Sequence, residues 1–251
     1  MATATPVSRG ALTCGWTAVF LLVLTGVLFA IAGPGHRTGL LSLNAAFLVF
    51  TVAALGAVLA LVMGVIGTLW NLRRGSRALA GGSLIAGIAG LGLTINLVSW
   101  FLAAQGVPAI HDISTDTDEP PAFVALLGLR ADADNPAEHP GAEVAALQRE
   151  AYPDLRSLRL EATPQTVFAA ALQVAYELGW EIVAEVPTEG RIEATDTTRY
   201  FGFRDDVVIR IQAGDDATLL DIRSKSRVGV SDVGANAARI RAFRERLLQL
   251  I

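Results

Sequence analysis

The apolar positions fall into two regimes. Up to about residue 105 they form three uninterrupted runs, at about 13–33, 41–69 and 79–104, and none of these contains a charged side chain. Each run reaches the roughly 20 residues that an α-helix needs to cross a hydrocarbon core about 30 Å thick. Trp16, Trp70 and Trp100 sit near the run ends, where interfacial aromatics anchor a span. The pattern therefore predicts a three-span helical anchor over 1–105.

Beyond it the pattern becomes that of a folded domain. Residues 106–150 read as an extended segment and linker: turn-rich from Pro108 to Phe123, polar from Arg130 to Gly141, with a short helix over Glu143–Glu150. The core is expected in 151–251, opening with a weakly alternating strand over Asp154–Glu161. A helix follows, with Thr163 as cap, Pro164 in its first turn, an apolar stripe through Phe168, Ala171, Leu172, Ala175 and Leu178, and Gly179 as its stop. Trp180–Val186 and Arg191–Thr198 flank a Thr188–Gly190 turn, and Asp206–Ala213 and Thr218–Ser224 flank Gly214–Asp216, which predicts two hairpins. A last helix starts near Ser231–Asp232, with Val233, Asn236, Ile240, Phe243, Leu247 and Leu250 on one stripe and Arg239, Arg241, Arg244 and Arg246 mostly off it. The fold class is a membrane α-helical anchor plus an α+β domain, an antiparallel sheet with helices packed on one face.

Charge sharpens the division. No Asp or Glu precedes Asp112, so the remainder carries 15 basic against 24 acidic residues, a net charge of −9. That balance argues against a nucleic-acid partner, which needs a basic footprint. Arg9 and the Arg73, Arg74 and Arg77 loop fall on one side of a three-span protein, against His36 and Arg37 on the other. The positive-inside rule then puts the amino terminus in the cytoplasm and the C-terminal domain outside, periplasmic or extracellular on a bacterial plasma membrane. A signal-peptide reading of the first run, with Ala30-Ile31-Ala32 as the cleavage site, leaves the domain on the same side. Gly82, Ala86, Gly90 and Thr94 share one face of the third run. Such a face suits close contact with the second run or with another copy of the chain. Asn44 and Asn96 need partners, but without an intramembrane charge they make no transport path. The lone Cys14 forms no internal disulfide.

Three constellations carry candidate chemistry. Asp112, Ser114, Asp116 and Asp118 alternate ahead of Glu119 in the manner of a cation loop, but Thr117 and Phe123 stand where an EF-hand has Gly and Glu. Turn capping is the competing reading, and no metal or other cofactor is expected. His111 and Asp112 make an acid/base pair if their side chains meet, with Asp116 nearby; His139 is the domain's other histidine, and no nucleophile motif accompanies them. Asp221, Arg223, Lys225 and Arg227 share one strand face, Arg210 lies on the strand before, and Ser231 and Gly234 open the last helix. This third group suits a phosphate, carboxylate or lipid headgroup. Its alternative is a salt-bridge lattice with Asp205, Asp206 and Asp221.

Several blocks also carry a resemblance: Pro108–Asp116, Pro120–Phe123, Ala151–Asp154, Gly179-Trp180, Ile192–Thr195, Phe201–Asp206, Asp221–Gly229 and Ser231–Asn236. Together they resemble domain-of-unknown-function family 1499 over Pro108–Ile251. The resemblance implies a domain found in membrane or envelope proteins and carries no reaction. The sequence thus favours a non-catalytic envelope module that binds an anionic envelope ligand or a membrane-protein partner. The alternative is an envelope hydrolase using His111 with nearby carboxylates.

Overall fold

The computed structural model describes residues 9–74 and 76–251, and the chain divides into two compact units, 1–102 with 200–202 and 103–199 with 203–251. The expectation for the amino terminus falls on residues 1–8 and on the Arg9 side chain, which lie outside the described residues.

In the first unit the three apolar runs are helices α1 (Arg9–Arg37), α2 (Leu43–Arg73) and α3 (Arg77–Gln105). All three are long and apolar enough to cross a membrane. They outrun the apolar patterns because a helix continues to its cap; Ser42 opens α2 by accepting the Ala45 N–H at 3.3 Å. Large apolar side chains such as Phe20, Leu48 and Ile85 point outward, each more than 60% exposed, as lipid-facing residues do and as a water-facing surface does not tolerate on this scale. Small residues hold the helices together. A Cβ on Gly64 would collide with the Gly87 backbone, and one on Gly90 would come within 2.7 Å of the Leu61 nitrogen. Gly90 therefore serves the contact with α2 inside the chain, Ala86 is fully buried, and a Cβ on Gly82 would meet only Val19 of α1. Asn44 and Asn96 are exposed, while Asn71, which hydropathy passes over, is buried and donates to Gly67 O at 2.8 Å.

The second unit holds β1 (Asp112–Ser114), a 3-10 turn (Ala125–Arg130), α4 (Ala142–Ala151), β2 (Leu158–Leu160), α5 (Pro164–Glu177), β3 (Glu181–Val186), β4 (Arg191–Thr197), β5 (Arg204–Ala213), β6 (Thr218–Ser226) and α6 (Ala235–Leu247). All six strands are antiparallel, in the order β1-β6-β5-β4-β3, and β2 joins the free edge of β6 beyond β1. Both expected hairpins form, and Thr163 and Pro164 open α5 as the sequence requires.

Period-two alternation gives the sheet two faces. Ile192, Ala194, Val207, Ile209, Ile211, Leu220 and Ile222 face α5 and α6, where Val167, Ala171, Val174, Ile240, Phe243 and Leu247 complete the core. Trp180 stacks on Phe243 with ring centroids 5.5 Å apart. The other face is covered by an irregular strap, residues 115–141, whose Phe123 and Leu126 form a small cluster with Val208 of β5. Two short features of the strap region, β1 and the 3-10 turn, lack any periodic signal in the sequence. α6 begins at Ala235, later than Ser231, because Gly234 adopts a left-handed φ of +81° that breaks the helix there.

Candidate functional site

The charged residues of β6 project from the strap face because Asp221, Arg223, Lys225 and Arg227 alternate with the core-facing Leu220, Ile222 and Ser224. They do not stand open to solvent. Asp112, carried in on β1 opposite Lys225, accepts from Arg223 at 2.9 and 2.8 Å and from Lys225 at 2.9 Å. Asp206 on β5 accepts from Arg130 at 2.9 Å and from Arg227 at 2.9 and 2.8 Å. The main partner of Arg223 is thus Asp112, which is far away in sequence, and none of Asp205, Asp206 or Asp221. Asp205 lies on the opposite face, bound to Arg239 at 2.6 Å.

Four cations thereby share two carboxylates, and the strap's backbone absorbs the surplus. Arg223 donates to Pro121 O and Ala137 O, Lys225 to Glu138 O at 2.7 Å, Arg227 to Leu129 O at 2.7 Å and Arg130 to Asn135 O at 3.1 Å. The Phe123 ring lies under Arg130 and Arg223, 5.0 and 4.7 Å from their guanidinium carbons, a cation–π contact made in a desolvated place. Glu193 on β4 is fully buried and accepts the Val124, Ala125 and Leu126 N–H groups at 3.1, 3.0 and 2.9 Å. It caps the 3-10 turn from another element. Arg130 and Glu193 give little sequence signal, since one stands at a loop boundary and the other is one of several polar residues in its strand.

Titration follows this geometry. Burial pushes the Asp112 carboxyl up, but its bonds to Arg223 and Lys225 more than reverse this and hold it below the usual carboxylate range. Burial draws the Lys225 ammonium below the ordinary lysine range despite Asp112. Burial, with Arg223 and Lys225 close by, also holds the His139 imidazole below the usual histidine range.

The other candidates separate. His111 and Asp112 are neighbours whose side chains do not pair: the carboxylate is taken by Arg223 and Lys225, and it is the His111 carbonyl that accepts from Ser226 N and Asn236 Nδ2. The alternating acids do not converge. Asp116 accepts the Asp118 and Glu119 N–H groups in a turn and pairs with Arg210 at 2.8 Å, and Asp118 is exposed. Among the described residues no group of three or more His, Cys, Asp or Glu side chains could hold a metal ion. Arg210 also pairs with Asp221 at 2.9 Å. It borders a groove of about 400 Å³ together with Arg191, its register partner on β4. Glu189, Glu193, Asp116 and Asp221 neutralise these two side-by-side arginines and leave the groove no positive excess.

Ahead of α6, the Asp232 carboxylate accepts the Gly234 and Asn236 N–H groups at 2.7 and 2.9 Å. The anion at that helix start is the chain's own, and Ser231 Oγ accepts the Val233 N–H. Asn236, read as part of the apolar stripe, joins Ser224, Ser226 and Arg239 in a buried polar cluster, and Arg239 is buried beside it.

One part of the network reaches the surface. Arg227, the least buried cation of the four, and Arg204 line a depression of about 110 Å³ with Leu129, Glu181, Val183 and Thr195. Arg204 is exposed and, among the described residues, its guanidinium has no ion-pair partner.

An antiparallel sheet backed by two helices on one face and by a charged strap on the other, following three helices fit to span a membrane, defines a membrane-anchored α+β domain protein. The chain belongs to the family described as Protein of unknown function (DUF1499), whose model matches residues 112–247. No curated protein matches the chain.

Proposed function

We propose that this protein is a membrane-held, non-catalytic binding module that receives an anionic group at the Arg204–Arg227 depression. The observation that carries the reading is the uncompensated guanidinium of Arg204 beside Arg227. Asp206 already serves both Arg130 and Arg227, and the depression's remaining carboxylate is that of Glu181. Arginine presents a planar fork of donors suited to a phosphate or carboxylate. The Thr195 hydroxyl is committed to Asp206 at 2.8 Å, Leu129 and Val183 supply apolar walls, and the volume fits one such group with the start of an alkyl chain. The ligand class is an anionic envelope component, a lipid headgroup included. The module stands outside the cytoplasm on a bacterial plasma membrane, a placement supported by Arg73, Arg74 and Arg77 against Arg37.

The test measures binding of inorganic phosphate, acetate and a short-chain phosphatidic acid to the purified full-length protein in detergent. Arg204→Gln should weaken the tightest of these about tenfold, in line with about 1.5–3 kcal/mol for a hydrogen bond to a charged group. The melting curve should stay in place, since exposed positions typically contribute within ±0.5 kcal/mol. Equal binding by both proteins, or none by the wild type, overturns the reading.

A further inference from the structure

The loop between β6 and α6, Val228-Gly-Val-Ser-Asp-Val-Gly234, is built unlike an ordinary connection. Val230 is 82% exposed and Val233 is 41% exposed. Val233 also holds a left-handed φ of +54°, and among the described residues it is the single non-glycine with positive φ. A β-branched residue avoids that region, so the surroundings must impose it. The bracing is visible. Asn135 Nδ2 donates to Gly229 O at 2.9 Å, Asp232 N donates to Ile110 O at 3.1 Å, and Asp232 turns its carboxylate inward onto the start of α6. The loop is braced by these bonds, its one charge faces the chain, and it presents two exposed valines.

Its place in the domain says what covers them. Gly234 lies beside Val107, whose Cγ1 would stand 3.5 Å from a Cβ at that glycine. Val107 follows by two residues the last helical residue of α3, Gln105. The loop is therefore anchored on the stretch of chain, Val107–Ile110, that emerges directly from the third span. Apolar side chains held there, with no charge turned outward, fit the boundary between headgroups and acyl chains. We propose that the Val230–Val233 loop docks into the lipid surface and holds the domain against the bilayer. This uses the reading of α3 as a membrane span and is independent of the anion site.

The experiment uses the full chain with Cys14→Ser, which removes the sole cysteine, and a nitroxide spin label on Val230→Cys. The control label is on Asp215→Cys, in the exposed β5–β6 turn at the far end of β6, roughly 30 Å away at about 3.3 Å per residue. The protein is placed in vesicles of phosphatidylethanolamine and phosphatidylglycerol, and flotation confirms incorporation, so a failed span reading is seen separately. Collisions with oxygen should exceed collisions with a water-soluble nickel chelate several-fold at Val230, with the reverse at Asp215. Nickel access at Val230 equal to that at Asp215 overturns the proposal. Protection at Val230 in native membranes but not in the lipid vesicles also overturns it and assigns the loop to a protein.

Discussion

Asp112 is the residue on which the charged face turns. It neutralises Arg223 and Lys225 in a place from which water is excluded. Removing one partner of a buried ion pair typically costs about 3–5 kcal/mol because it leaves a buried charge uncompensated, a cost that is not incurred where the remaining charge keeps another partner. Asp112→Asn, which leaves two buried cations to the strap carbonyls alone, should therefore destabilise by about 3–5 kcal/mol in a denaturant melt. Lys225→Met, which leaves the Arg223–Asp112 bidentate pair intact, should fall within about 1 kcal/mol of the wild type; equal losses would refute the division of roles. The pH dependence has one direction. His139 has a folded pKa depressed from the ordinary value of about 6.5. Its contribution is complete above that value and declines as pH falls below it. Asp112, also depressed, holds its contribution down to the carboxylate range and loses it as pH falls through the folded value. The melting temperature should drop between about pH 7 and pH 5, and His139→Gln should flatten that window and leave the steeper acid limb. At this scale the sequence is informative about which residues share a face and silent about their partners. Alternation along β6 groups Arg223, Lys225 and Arg227, but the carboxylate that Arg223 and Lys225 meet arrives from Asp112, more than a hundred positions earlier, through strand pairing that no local pattern encodes, while Arg227 turns to Asp206.

Elements with a period are legible and elements without one are not. α5 follows from Thr163, Pro164 and a helical apolar stripe, and β3 to β6 follow from β-rich runs between turn residues. β1, three residues long, and the 3-10 turn at Ala125–Arg130 offer no such signal, because tertiary contacts hold them in place. The strap reads as linker for the same reason: polar residues in an irregular segment look solvated when their partners are on a distant strand. Glu193 is what fixes the 3-10 turn to the sheet. In Glu193→Gln the amides of Val124, Ala125 and Leu126 should exchange with solvent deuterium at least tenfold faster, since charge-assisted hydrogen bonds of about 1.5–3 kcal/mol are weakened there. Amides of Ile209 and Ile222, in the centre of the sheet, should be less affected. A uniform acceleration would show that the strap and sheet open together.

For the whole molecule, the legible part is the division into anchor and domain, because a membrane span and a charged globular segment differ in composition over many residues. Alkaline phosphatase fused after Ile251 should be active in a bacterial host and a fluorescent protein that matures only in the cytoplasm should be dark. The reverse pair would place the domain inside. The contact between copies that Gly82, Ala86 and Gly90 invite in the sequence is less needed once Gly90 meets Leu61 of the same chain, which is a matter of helix rotation and not of spacing.

The Gln148 side chain has a consequence for crowding. Its amide accepts the Ser114 N–H at 2.9 Å and donates to the Ser114 carbonyl at 2.6 Å, filling the bonds that a further strand would make beside β1. At the opposite edge β3 carries a register irregularity between Ile182 and Ala184 and presents Glu181 and Glu185. Proteins confined to a membrane plane meet one another far more often than the same number dissolved in the volume around it, and an open sheet edge would turn such encounters into growing ribbons. With an amide clasp beside β1 and a kinked acidic strand at the other margin, those two edges offer little for a strand of a neighbouring copy to join.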